Sequence, residues 1–91
     1  MANIYQQQGL YDQTLEIYKS VLDTKVRVVG HNHISVADTK ENIGLVYEDT
    51  GKKSEAKTMF TEAAKIRRHM LGPDHPLTKK SERLAARVSA K

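Results

Sequence analysis

The sequence predicts an all-α protein of stacked helical hairpins, about five helices in 91 residues. Three observations carry that expectation. Sliding the chain on itself by 42 residues superposes Tyr5 on Tyr47, Gly9 on Gly51, Gly30 on Gly72 and His33 on His75. Similar pairs follow in the same register: Ile4 with Val46, Thr14 with Ala56, Ile17 with Met59, Tyr18 with Phe60 and Val29 with Leu71. Apolar residues recur at three- and four-residue steps, the period of one helix face, and glycines punctuate the stretches so formed. A repeat of this length, each unit being two helices, points to a solenoid.

Residues 1–8 supply the second half of an inner helix, with Gly9 as its stop, and a long outer helix follows over 11–29. Gly30-His31-Asn32-His33 is the joint, with Asn32 as the expected helix cap. The next helix, 35–49, carries Val36, Thr39, Ile43, Val46 and Tyr47 on one stripe. Gly51 then provides the left-handed turn that ends a helix without a Cβ penalty. In the helix predicted over 53–70, Ala56, Met59, Phe60, Ala63, Ala64 and Ile66 face inward. Small residues at 56 and 63 allow close helix approach, and Phe60 fills the space between. In the second joint, Gly72-Pro73-Asp74-His75-Pro76, Asp74 is the expected cap and Pro76 suits a first turn. A last amphipathic helix over 76–90 turns Leu77, Leu84, Ala85 and Val88 inward, with Lys79, Lys80, Arg83 and Arg87 outside. The organisation is one domain, 1–91: a first repeat at 1–33 with a truncated inner helix, a second at 34–75, and a C-terminal capping helix at 76–91.

Composition narrows the chemistry. Cysteine is absent, which removes disulfides and thiol catalysis. No apolar run approaches the roughly 20 residues needed to cross a bilayer, and the first residues lack the basic and apolar regions of a signal peptide; the expectation is a cytoplasmic protein with no membrane partner. Charge is uneven. Up to Gly51 there are four Lys and Arg against seven Asp and Glu; from Lys52 onward the count is eleven against four. Basic halves of this kind solvate helix faces or meet acidic partners.

The residues Gly44-Leu45-Val46-Tyr47 with Gly51, then Glu55-Ala56, Phe60, Ala63 and the joint Leu71-Gly72-Pro73-Asp74-His75-Pro76 resemble the tetratricopeptide repeat. The resemblance is to the 42-residue form found in kinesin light chains. Val36-Ala37-Asp38-Thr39 and Asn42 are similar to its inner helix. The chain departs from that pattern at Thr14, where a small alanine is usual, at Ile34, which replaces a proline, and at Lys53, where an aromatic is usual. The resemblance implies TPR-type helical hairpins winding into an α-α superhelix whose inner helices line a concave surface. Its implied function is a protein–protein interaction scaffold, an adaptor that selects a peptide or protein partner.

On that reading the peptide-binding groove is lined by Asn3, Gln6 and Gln7, then Asp38, Glu41, Asn42, Leu45, Glu48 and Asp49, then Lys80, Arg83 and Arg87. An asparagine grips an extended peptide backbone in both directions, donating to a carbonyl and accepting from an amide. The three cations pair with acidic side chains or a terminal carboxylate. Asn3, Asn42 and Lys80 fall where some of these domains clamp a terminal carboxylate, with Leu84 at the final basic position and Arg83 beside it. The carboxylates of Glu41, Glu48 and Asp49 favour a ligand of mixed charge.

No phosphate loop, nucleophile elbow or metalloprotease motif occurs, so neither catalysis nor a cofactor is expected. His31 and His33 form only half of a metal site, and none is predicted. Two alternatives stand beside the adaptor. The first is a structural unit that self-associates or continues a longer solenoid, since about three repeats are wanted for independent stability. The second, weaker one is a polyanion or nucleic-acid binder using Lys65, Arg67, Arg68, Lys79, Lys80, Arg83, Arg87 and Lys91. It lacks an exposed aromatic series for stacking.

Overall fold

The computed structural model describes the backbone of residues 4–89 and the side chains of residues 10–88. Four helices follow one another: α1 (Ile4–Val29), α2 (Ile34–Asp49), α3 (Lys53–Leu71) and α4 (Pro76–Ser89). No strand occurs among the described residues. The molecule is a slab of 43 × 33 × 18 Å, and its thin dimension is that of two layers of helices, each about 10 Å across.

The turn from α2 to α3 shows why Gly51 is required. Gly51 has φ +84°; its N–H reaches Glu48 O at 3.1 Å, and Lys52 N–H reaches Tyr47 O at 2.8 Å. That pair of bonds is the Schellman arrangement. Thr50 adds a hydroxyl that donates to the carbonyls of Val46 and Tyr47. Gly30 (φ +88°) and Gly72 (φ +99°) end α1 and α3 in the same left-handed region.

The first turn expected from the sequence does not form. Helix α1 runs unbroken through Gly9, so the described residues form four helices and not five. Gln8 and Leu10 stand where Thr50 and Lys52 stand one repeat later, so the hydroxyl that caps the last carbonyls of α2 has no counterpart. The caps are corrected as well. His33, not Asn32, caps α2: its Nδ1 accepts from Ser35 N–H at 3.1 Å. Its repeat-mate His75, not Asp74, does the same for Leu77 N–H at 3.1 Å in α4.

Three apolar clusters join the helices around α2 and α3. Val36 and Ala37 pack with Ala63 and Ile66, and Leu22 and Val26 of α1 close over them. Leu15, Ile43 and Val46 pack with Tyr11, Tyr18, Tyr47 and Met59. Ala56, Phe60 and Val88 pack with Leu45, Leu84 and Ala85. Phe60 is fully buried and lies so close to α2 that a Cβ on Gly44 would meet its Cε1 at 2.7 Å. The Ala56, Ala63 and Phe60 expectations therefore hold, with Gly44 as the small residue on the facing helix. Leu77 does not turn inward: it is exposed, and α4 buries Thr78, Ser81 and Val88 instead.

Candidate functional site

Helices α2 and α4 are the inner helices of successive units, and side chains bridge them directly. Along α2, Asp38, Glu41, Leu45 and Glu48 recur at three- and four-residue steps, so they share one face. On α4, Lys80, Arg83 and Arg87 do the same. Glu48 receives Arg87 in a two-pronged pair, Nε to Oε2 at 2.9 Å and Nη2 to Oε1 at 2.5 Å. That pairing raises the Arg87 guanidinium above its ordinary pKa, first through the hydrogen bond to Glu48 and then through its charge. Burial opposes the shift, and Asp49 adds to it.

One groove residue is displaced by the structure. Glu41 does not face the groove as a free carboxylate; its side chain is 5% exposed. Its Oε1 accepts from Arg67 Nη1 and from Ser81 Oγ at 3.1 Å, and Lys80 Nζ lies 3.3 Å from its Oε2. Arg67, with a side chain 4% exposed, also donates to Ser81 Oγ at 2.8 Å and through Nη2 to Asp38 Oδ1 at 2.5 Å. A guanidinium from α3 thus ties α2 to α4 from beneath. Sequence reasoning placed Arg67 among the solvent-facing cations. The signal against that was its register: Ala56, Phe60, Ala63 and Arg67 lie on one buried stripe, and a cation there needs a buried anion.

Asn42 and Arg83 are exposed on the shared face, and Leu45 is half-buried between them in the cluster that holds Leu84. Asp49 is exposed, with Tyr11 Oη 3.4 Å from its carboxylate. Lys80, Arg83, Leu84 and Arg87 line a cleft of about 280 Å³. Of the predicted residues, Glu48 thus meets Arg87 and Glu41 meets Lys80, with Glu41 sunk below the surface, while Asp49 lies by Tyr11 of α1. Asn3 lies outside the described residues, as do the side chains of Gln6 and Gln7, whose backbone belongs to α1.

Among the described residues no group of three or more His, Asp or Glu side chains is arranged to hold a metal ion. No described helix is long and apolar enough to cross a membrane. A larger depression, about 480 Å³, lies elsewhere, on the outer side of α1 between Gln13, Glu16, Ile17, Ser20 and Val21.

Compared with known families, residues 1–69 match the model of the tetratricopeptide repeat, which spans α1, α2 and most of α3. No curated protein matches the chain.

Proposed function

The chain belongs to the tetratricopeptide repeat family, and from that premise we propose that it is a non-catalytic adaptor module holding an extended peptide across the face shared by α2 and α4. The family suggests protein–protein interaction in general; the groove supplies the particulars. One observation carries the proposal: Asn42 and Arg83 are both exposed on a face where Glu41, Glu48 and Arg87 are already paired, and Arg83 lines a cleft of about 280 Å³. Asn42 grips backbone amide groups, and Arg83, with the exposed part of Lys80, takes an acidic side chain or a terminal carboxylate. The resemblance of the Leu71–Pro76 joint to kinesin light chain repeats supports an adaptor role in the cytoplasm.

The polyanion alternative loses ground on specific residues. Arg67 is buried against Asp38 and Glu41, and Arg87 is committed to Glu48. The test is a peptide-display selection on the purified chain, with hits remeasured at low and high salt. Peptides bearing an acidic group are expected to bind, to survive salt in part, and to be lost in Asn42→Ala and Arg83→Glu. Lys57→Glu on the exposed side of α3 should leave them unchanged. Binding that is indifferent to both groove variants, or polyanions alone that salt strips away, overturns the reading.

A further inference from the structure

Arg67 and Arg87 are paired inside the fold, but other cations of the basic half are not. On α3, Lys53, Lys57, Thr61, Lys65 and Arg68 recur at steps of four, four, four and three, so they share one face, and all are exposed. Lys79 of α4 is exposed as well. Among the described residues, Lys53, Lys57, Lys65 and Lys79 have no carboxylate partner. Arg68 has only Glu82, 3.9 Å away and itself exposed. The acidic residues of α3, Glu55 and Glu62, lie off this face, and Glu62 is bound to Lys40 of α2.

The repeat register shows what these cations replace. One unit earlier, Met59, Ala63 and Ile66 of α3 pack in clusters with Leu15, Leu22 and Val26 of α1 and with Ala37 and Ile43 of α2. Shifted by 42 residues, Leu15, Val26 and Ala37 become Lys57, Arg68 and Lys79. Tyr11, packed on the same clusters, becomes Lys53. Leu22 and Ile43 shrink to Ala64 and Ala85. The equivalent of the apolar seat that holds α3 is therefore a cleft of about 230 Å³ between α3 and α4, with small residues, Ala64 and Ala85, beside Lys65 and Arg68. A helix with the apolar face of α3 would press methyl groups on ammonium groups there and strip their water without a partner. Carboxylates would pair with them.

We propose that the α3–α4 face is a docking surface for an acidic peptide segment of a partner protein, lying extended along α3 with its carboxylates on Lys53, Lys57, Lys65 and Arg68. It shares no residue with the groove between α2 and α4. Lys53 and Arg68 stand about 22 Å apart along the helix at 1.5 Å per residue, the reach of about seven extended residues at 3.3 Å each. Alternate side chains of an extended segment point the same way about 6.6 Å apart, and a four-residue step on a helix is about 6 Å. Acidic residues at every second position thus stay in step with the cations. Nucleic acid and lipid fit less well. No Phe or Tyr is exposed on this face for base stacking, and the exposed large apolar residues of α3 and α4, Met70 and Leu77, lie at the joint between them.

The probe is a seven-residue peptide with Glu at every odd position and Ser between, acetylated and amidated so that it carries no terminal carboxylate. Its binding to the whole chain is followed by NMR titration of the isotope-labelled protein at low salt, with far-UV circular dichroism to check that each variant folds. Saturable binding is expected, with shifts centred on the exposed face of α3 and on residues 79–85 of α4. Lys57→Glu and Lys65→Glu should each weaken it by about threefold or more, and the double variant by about tenfold or more. Asn42→Ala and Arg83→Glu should leave it unchanged, so this result and that for the groove are independent. Absence of saturable binding, or binding lost in Arg83→Glu and kept in Lys57→Glu, overturns the proposal. So does tighter binding through the same lysines of an oligothymidylate of equal charge or of phosphatidylserine vesicles.

Discussion

Replacing Arg67 with methionine keeps most of the apolar stem and removes the charge, and the network predicts where the cost falls. Asp38 is half-exposed, so it returns to water almost unharmed. Glu41 is not: with its carboxylate 5% exposed, it keeps only the Ser81 hydroxyl and Lys80 as partners. Breaking a buried pair on one side costs about 3–5 kcal/mol, and those two remaining partners place this case near about 3. Glu41→Leu should cost somewhat less, since Arg67 retains Asp38, Ser81 and the Leu77 carbonyl. The double variant Arg67→Met with Glu41→Leu removes both charges and should approach wild-type stability, a coupling of about 2 kcal/mol or more. The chain has no tryptophan, so the assay is urea and thermal unfolding followed by far-UV circular dichroism. For a domain of this size, about 3 kcal/mol lowers Tm by roughly 12–24 °C. A single Arg67→Met loss below about 1 kcal/mol, or strict additivity in the double variant, refutes the reasoning.

Three further outcomes follow from other positions. Gly44→Ala gains about 1 kcal/mol of helix propensity, but its Cβ meets the Phe60 ring at 2.7 and 2.9 Å and Met59 Cβ at 3.2 Å; overpacking of about 1–3 kcal/mol should leave the variant less stable in urea unfolding. Thr78 is fully buried and its Oγ1 has no hydrogen-bond partner, so the isosteric Thr78→Val should raise stability by about 1 kcal/mol in the same assay. The Glu48–Arg87 pair involves an arginine whose folded-state pKa is raised. Its contribution is therefore present below the unfolded value and lost only in strong alkali, so Arg87→Gln should lower stability equally across roughly pH 6 to 10 and less in high salt.

How far the sequence can be read depends on whether a residue's role is local. Gly51 ends α2 because of backbone geometry at that position alone, and it was visible. Phe60, Ala56 and Ala63 were visible because their stripe has helical period and their volumes alternate. Gly9 has the same residue type and register as Gly51 yet ends nothing; Gln8 precedes it where Thr50, whose hydroxyl bonds the last carbonyls of α2, precedes Gly51. The caps were misplaced by one residue in both joints for a related reason. Asparagine and aspartate are the usual N-cap oxygens, but here an imidazole Nδ1 serves at His33 and again at His75. Leu77 was expected inside because it is apolar; α4 instead seats Thr78 and Ser81 against the rest of the fold, and Ser81 is needed there by Arg67 and Glu41. That choice rests on a pairing 40 residues apart, which no window along the chain contains.

The same buried pair sets the sign of the groove. Counting exposed carboxylates by sequence gives an acidic middle at Glu41, Glu48 and Asp49 that would repel an anion. In the structure Arg67 and Lys80 neutralise Glu41, and Arg87 neutralises Glu48, so the field there falls to that of close opposite charges, which cancel within a few ångströms in water. What remains is Asp49 near the end of α2 and Arg83 on α4. On the adaptor reading proposed above, a ligand with one acidic group would lay its carboxylate toward Arg83 and its backbone across Asn42. Arg67 is buried beneath that face, and removing it restores a carboxylate charge there. Arg67→Met in the background of Glu41→Leu should therefore bind acidic peptides as the wild type does, whereas Arg67→Met alone should weaken them even at temperatures where it remains folded.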